Sequence, residues 1–161
     1  MAPLPYSAHT HSSPMVPMFP AAVHVPRPRP RKQAQFEVPA QRSSVGTARH
    51  LLTEWLGRWH CPRGVIDTAQ LVISEFAANA VLHTASDRIV CRVLQGERRL
   101  RIEVCDQGTG PVGLAPRQAG PDSTNGRGLQ LVDTLADAWG DIPAVRSRGR
   151  VVWAELRLDE A

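Results

Sequence analysis

Leu71-Val-Ile-Ser-Glu75-Phe-Ala-Ala-Asn79-Ala-Val-Leu-His83 is an apolar run in which Glu75 and Asn79 are set one helical turn apart. Asp67 is a good N-cap, so the spacing predicts a helix from about Asp67 to His83 with Leu71, Val72, Phe76, Ala80 and Leu82 on its inner side. Glu75 and Asn79 then project from the same helix face. An Asn carboxamide oxygen is a hard, neutral ligand suited to Mg²⁺, which prefers oxygen donors at ~2.1 Å and keeps several waters. A carboxylate one turn earlier can take a proton from an attacking hydroxyl or water. Pairs of this kind also arise as ordinary solvent-facing side chains, so the surrounding sequence has to decide.

Upstream, residues 1–34 form a different kind of polymer. Nine of the 14 prolines lie between Pro3 and Pro39, and Pro26-Arg-Pro-Arg-Pro30 favours an extended polyproline backbone. This arm is expected to be disordered, because it has too few large aliphatic residues to offset the entropy of ordering. Residues 35–161 are read as one domain. Gln35-Phe-Glu-Val38 predicts a short edge strand stopped by Pro39, and Ser43 or Ser44 is a candidate N-cap for the helix that follows. That helix runs to about Trp59, with Val45, Ala48, Leu51, Leu52, Trp55, Leu56 and Trp59 on one face. A loop around Cys61-Pro-Arg-Gly64 separates it from the second helix.

Downstream the period changes from 3.6 to 2. Ile89, Cys91 and Val93 alternate with polar residues, a turn falls near Gln95-Gly-Glu-Arg98, and Leu100, Ile102 and Val104 alternate again, which predicts an antiparallel hairpin. Residues 107–127 read as a long irregular loop, and such loops inside compact domains are usually functional. A third helix is expected from about Gly128 to Ala138, capped near Trp139-Gly140, followed by strands near 141–146 and 151–158. The fold class is α+β: a two-layer α/β sandwich whose mixed, mostly antiparallel sheet is covered on one face by three helices.

Composition narrows the function. A length of 161 residues suits one domain with a core. The net charge of +4 is not gathered into a basic stripe with aromatic partners, so no direct nucleic-acid binding is expected. Cys61, Cys91 and Cys105 lack metal-site or disulfide spacing, which fits a reducing, cytoplasmic setting. No signal peptide is recognisable and no run comes close to the ~20 apolar residues that span a bilayer, so no membrane role is expected.

Two further motifs fall in line with Glu75 and Asn79. In Val104-Cys-Asp106-Gln-Gly108-Thr-Gly110 a strand runs into Asp-x-Gly-x-Gly, where Asp106 can accept from an exocyclic amine and the glycines allow a flat ligand to approach. Asn125-Gly126-Arg127-Gly128-Leu129 closes the long loop and opens a helix, where bare N–H groups favour phosphate. Each motif also has an ordinary structural reading, as a turn or a helix start. Their order and spacing together resemble the N-box and the two glycine boxes of the GHKL, or Bergerat-fold, ATPases. The stretch 71–83 and the ending Gly149-Arg-Val-Val-Trp153 look most like the anti-sigma-factor serine/threonine kinase branch, over roughly residues 36–158.

That resemblance implies ATP and Mg²⁺ as cofactors. By it, Asn79 holds the metal, Glu75 is the catalytic base for a protein serine or threonine hydroxyl, and Asp106 binds the adenine amine. Gly108 and Gly110 line the base, and Gly126, Arg127 and Gly128 surround the phosphates, with Leu129 also among the nucleotide contacts. The implied partners are a sigma factor and an anti-anti-sigma protein of the STAS type, with regulation of transcription as the outcome, and the branch also allows a homodimer. The alternative is a non-catalytic ATP-binding regulator acting through protein binding alone. Two departures bear on it. Gly149-Arg150-Val151 lacks the hydroxyl of the branch's usual Gly-Lys-Thr, and residues 111–124 make a short lid. No phosphoacceptor helix pair precedes the domain and no further domain follows it, so neither a histidine kinase nor a gyrase-type ATPase is expected. His83 reads as a capping or surface residue rather than a proton shuttle.

Overall fold

The computed structural model describes residues 9–10, 29–83, 87–106, 124–143 and 149–159, without the side chains of residues 9, 10, 83 and 124–127. Along the chain come β1 (His9–Thr10), β2 (Lys32–Pro39), α1 (Ser44–Arg58), α2 (Arg63–His83), β3 (Arg88–Gln95), β4 (Arg99–Asp106), α3 (Thr124–Leu135), β5 (Ala138–Pro143) and β6 (Arg150–Arg157). The strands form one sheet in the order β1-β5-β6-β4-β3-β2. Every pairing among the described residues is antiparallel, which narrows the expected mixed sheet to a purely antiparallel one. The first described hairpin is as predicted, with Gly96 N–H donating to Arg99 O at 2.9 Å across the turn.

Alternation along the strands decides which side chains meet the helices. Ile89, Cys91, Val93, Leu100, Ile102, Val104, Ala154 and Leu156 join Ala48, Leu52 and Leu56 of α1 and Val72, Ile73 and Phe76 of α2 in a single core. α2 is the central helix, packed against α1, α3 and strands β3, β4 and β6. Two side-chain hydrogen bonds set its register on α1: Arg49 Nε donates to Ser74 Oγ at 2.8 Å, and Gln70 Nε2 to Thr53 Oγ1 at 2.8 Å.

Several sequence expectations shift. β2 begins at Lys32, so three residues read as the end of the arm belong to the sheet, and His9–Thr10 pairs with β5. α2 starts at Arg63, leaving Asp67 inside the helix rather than capping it. Pro62 explains the early start, because its fixed φ suits a helix N-terminus and its carbonyl accepts the Ile66 N–H at 3.0 Å. Leu71 and Leu82, expected on the inner face, are about half exposed, at 47% and 50%. Their spacing places them with Glu75 and Ala78 on a stripe about 100° away from the Val72–Phe76 face. By length and composition Arg63–Leu82, with hydropathy 1.3, could cross a bilayer, contrary to the expectation for this chain. Here its apolar residues Val65, Ala69, Val72, Ile73, Phe76 and Ala77 are spent on the core.

α1 ends in a geometry that no glycine announces. His60 N–H donates to Gly57 O at 3.1 Å and Cys61 N–H to Leu56 O at 3.0 Å, a Schellman pattern with His60 left-handed at φ 55. A side chain in this conformation costs roughly 1–2 kcal/mol, part of which glycine's looser unfolded chain would offset. His60→Gly is therefore expected to stabilise the fold by about 0.5–1 kcal/mol in urea unfolding. An unmoved midpoint would mean that His60 makes a compensating contact.

α3 spans Thr124–Leu135, earlier at both ends than expected, and Trp139 and Gly140 lie inside β5 rather than capping the helix. The chain leaves the helix at Asp137, whose N–H donates to Glu155 O at 2.9 Å and so enters the sheet. Gly140 serves packing, since a Cβ there would stand 3.0 Å from Trp153 Cζ2 and Nε1.

The sheet face turned away from the helices carries buried charge. Arg101 is 2% exposed, Glu103 0% and Glu155 4%. Arg101 Nε donates to Glu103 Oε1 at 2.9 Å and its Nη1 to Glu155 Oε1 at 3.2 Å, while the guanidinium lies 4.3 Å over the Trp153 ring. Arg99 reaches Glu155 Oε2 at 3.0 Å, and Arg92 reaches Glu103 Oε2 at 3.7 Å.

Candidate nucleotide site

Glu75 and Asn79 occupy a half-buried stripe of α2, one turn apart as predicted. The stripe is held from behind by Phe76 and Ile73, both fully buried, so the polar side chains are presented by a helix anchored in the core.

The third motif meets the first through a glycine. A Cβ placed on Gly128 would stand on Glu75 Oε2 and within 2.8 Å of its Cδ. Gly128 is buried in α3, four residues in from its N-terminal end, and its bare Cα is what lets the carboxylate lie against this helix. Because α3 begins at Thr124, the unpaired N–H groups of its first turn belong to residues 124–127, which include Gly126 and Arg127. The Arg127 side chain lies outside the described residues, and Leu129 is half-buried against the core.

The second motif sits at the end of β4, beneath α2. Asp106 is half-buried, and its Oδ1 accepts the main-chain N–H of Arg150 at 3.2 Å. Gly108 and Gly110 lie outside the described residues, as does the expected lid at 111–124 apart from Thr124, which opens α3. Arg150 also donates from Nε to Asp141 Oδ1 at 3.1 Å. Burial pushes the Asp141 carboxyl up from its usual range; Arg150 opposes this, and the nearby Asp106 charge adds to it. Nothing in the sequence singled out Asp141. Its only signal is an acidic residue at a strand position that alternation turns toward the helices.

Asn79 offers one neutral oxygen, a donor suited to Mg²⁺ bound chiefly through phosphate oxygens and water. Among the described residues no group of three His, Cys, Asp or Glu could hold a metal by itself. The three cysteines are free and buried, and burial, with a smaller effect of neighbouring Cys105, pushes the Cys91 thiol up to about 12.

An α+β fold that brings a Glu-x-x-x-Asn helix against a glycine-rich helix start, with an aspartate at the end of the adjoining strand, defines a nucleotide-binding ATPase domain. The family described as the histidine kinase-like ATPase domain matches residues 38–156, and the chain belongs to it. Among solved structures it is similar to the RsbU and RsbW domains of Rv1364c from Mycobacterium tuberculosis, at 23% identity and a TM-score of 0.61. That match covers 82% of this chain and 34% of the other, so the chain spans about a third of that protein's length. No curated protein matches.

Proposed function

We propose that this protein is a serine/threonine kinase of the anti-sigma-factor type, acting in the cytoplasm. It would phosphorylate a STAS-type anti-anti-sigma protein and bind a sigma factor. The observation that carries the reading is the Glu75 carboxylate seated against Gly128, one helical turn from Asn79. In this reading Asp106 accepts the exocyclic amine of adenine, Asn79 gives its oxygen to Mg²⁺, and the first turn of α3 faces the phosphates. Bound Mg-ATP supplies the phosphoryl group and the metal charge that screens it. Glu75 would take the proton from the serine hydroxyl as its oxygen attacks the γ-phosphorus and the bond to the departing ADP breaks, and would release it to solvent after the products leave. The RsbW domain in the similar structure supports the branch, and three buried free thiols are in keeping with a reducing compartment.

The test is calorimetry with Mg-ATP, followed by incubation of the full chain with labelled ATP and a panel of small STAS proteins. Acid-stable label on serine or threonine is the expected result. ATP binding without transfer to any candidate would favour the non-catalytic regulator. No binding at millimolar ATP, with Asn79→Ala and Asp106→Ala both silent, would overturn both readings.

Gly128 gives a sharper check. In Gly128→Ala the new methyl meets the far end of a flexible side chain, so Glu75 swings aside and the backbone holds. Transfer is expected to fall about 10–100-fold, since displacing a reacting group by about 1 Å has that order of effect. Thermal stability should change little, because alanine also favours the helix. Unchanged turnover would show that Glu75 does not need this seat.

A further inference from the structure

We infer that the outer flank of the α2–α3 pair, built from Leu71, Ala78, Leu82 and Leu131 around Glu75, is the docking surface for the protein whose hydroxyl is phosphorylated, and that this partner covers it with an apolar patch beside its serine or threonine. The inference rests on the kinase reading, in which Glu75 is the base for a protein hydroxyl.

Of the four large apolar side chains exposed among the described residues, three meet on this flank: Leu71 at 47%, Leu82 at 50% and Leu131 at 37%, with Ile142 of β5 as the fourth. On α2, residues 71, 75, 78 and 82 return to one side of the helix, along a line about 16 Å long at about 1.5 Å per residue. Glu75 stands within that line, one turn after Leu71 and two turns before Leu82. On α3, Val132 and Ala136 belong to the core and Leu129 packs against it. At about 100° per residue, Leu131 lies about 100° from Val132 and about 140–160° from Ala136 and Leu129, so it points away from the sheet. It follows Gly128 by one turn, and Gly128 is where α3 lies against the Glu75 carboxylate. The exposed leucines of both helices therefore border the seam that holds the base.

α2 is more apolar than its packing requires. The stretch Arg63–Leu82 has hydropathy 1.3, yet only 33% of its most apolar window is buried within the fold. Single exposed leucines are ordinary on a protein surface, whereas a contiguous apolar patch with a polar border marks an interaction site. The chemistry at Glu75 selects the occupant. A hydroxyl that gives its proton to this carboxylate must come within hydrogen-bond reach of it, so the chain bearing that hydroxyl has to lie over the neighbours of Glu75 on the exposed side of α2. A bilayer is the poorer occupant, because it would draw the carboxylate into an apolar phase together with the leucines, at a large desolvation cost. Leucines that hold the partner equally before and during transfer set the KM for the protein substrate and leave the chemical step alone.

The experiment compares wild type, the double variant Leu71→Gln/Leu82→Gln, and Ile142→Gln as the control for losing an exposed apolar side chain elsewhere. Glutamine has nearly the helix preference of leucine, so α2 stays folded. Each full-length chain is titrated with Mg-ATP and assayed for phosphate transfer to the panel of STAS proteins. The double variant is expected to raise the KM for the labelled partner about 10–30-fold, the scale of two half-exposed leucines losing their cover, with kcat and the Mg-ATP Kd within about twofold of wild type. A KM within about twofold of wild type overturns the inference, as does an equal rise in Ile142→Gln. A parallel loss of ATP affinity overturns it too, and assigns the leucines to the support of α2. Vesicles of phosphatidylglycerol and phosphatidylcholine that bind wild type and not the double variant would give the stripe to a membrane surface instead. The two readings fail in different ways: ATP bound with no STAS protein labelled fells the kinase reading and the inference with it, whereas labelling with an unchanged KM fells the inference alone.

Discussion

Glu75→Gln is expected to slow phosphate transfer by about 10²–10⁴-fold, the usual contribution of a general base, while Mg-ATP still binds. The amide has the shape of the carboxylate, so it fills the same seat against Gly128 and leaves the packing of α2 and α3 intact. What it loses is the ability to take the hydroxyl proton. Removing a negative charge from beside the phosphates also acts against any loss of affinity, so a drop in kcat without a rise in the ATP Kd is the signature. Single-turnover transfer to a STAS substrate, paired with calorimetry, reads the two separately. Transfer within threefold of wild type would remove Glu75 from the chemistry, and parallel loss of binding would assign it to the nucleotide pocket instead.

The largest stability effect belongs to Arg101→Ala. The change leaves Glu103 and Glu155 buried without their central cation and removes the stack on Trp153. Breaking a buried ionic network by deleting one partner costs roughly 3–5 kcal/mol. Arg99 keeps its 3.0 Å contact to Glu155 and Arg92 its 3.7 Å contact to Glu103, so the lower end, about 3 kcal/mol, is expected. For a domain with about 5–15 kcal/mol in hand, that is a large share of the whole. Urea unfolding of wild type and variant measures it. A loss below about 1 kcal/mol would show that the flanking arginines carry the carboxylates unaided.

The Arg101 effect, unlike that of Glu75, arises where sequence pattern reached least far. The two long helices and the β3–β4 hairpin were legible because their apolar residues keep one period for several turns. The three motifs were legible because their chemistry needs particular residue types at fixed spacing. Alternation in Leu100, Ile102 and Val104 announced one buried face, and gave no reason to expect Arg101 and Glu103 buried on the other. That burial depends on pairing with Glu155, a residue 54 positions away, which no local pattern records. Trp139-Gly140 resembled a helix end because glycine commonly stops helices, whereas here it makes room for an indole on the neighbouring strand. Asp141 was invisible for a similar reason: its meaning comes from Arg150, across a strand pair.

The halves of the site are held unequally. α2 is clamped by α1 and three strands, whereas α3 packs chiefly on α2 and β5. With fewer packing partners than α2, α3 is expected to open locally at a lower cost than global denaturation, and hydrogen exchange of its amides with and without Mg-ATP measures it. A ligand spanning both helices then adds its binding free energy to α3 and almost nothing to α2. Nucleotide occupancy would thus be written into the order of one short helix, offering a partner protein a surface that exists in full only when the site is filled.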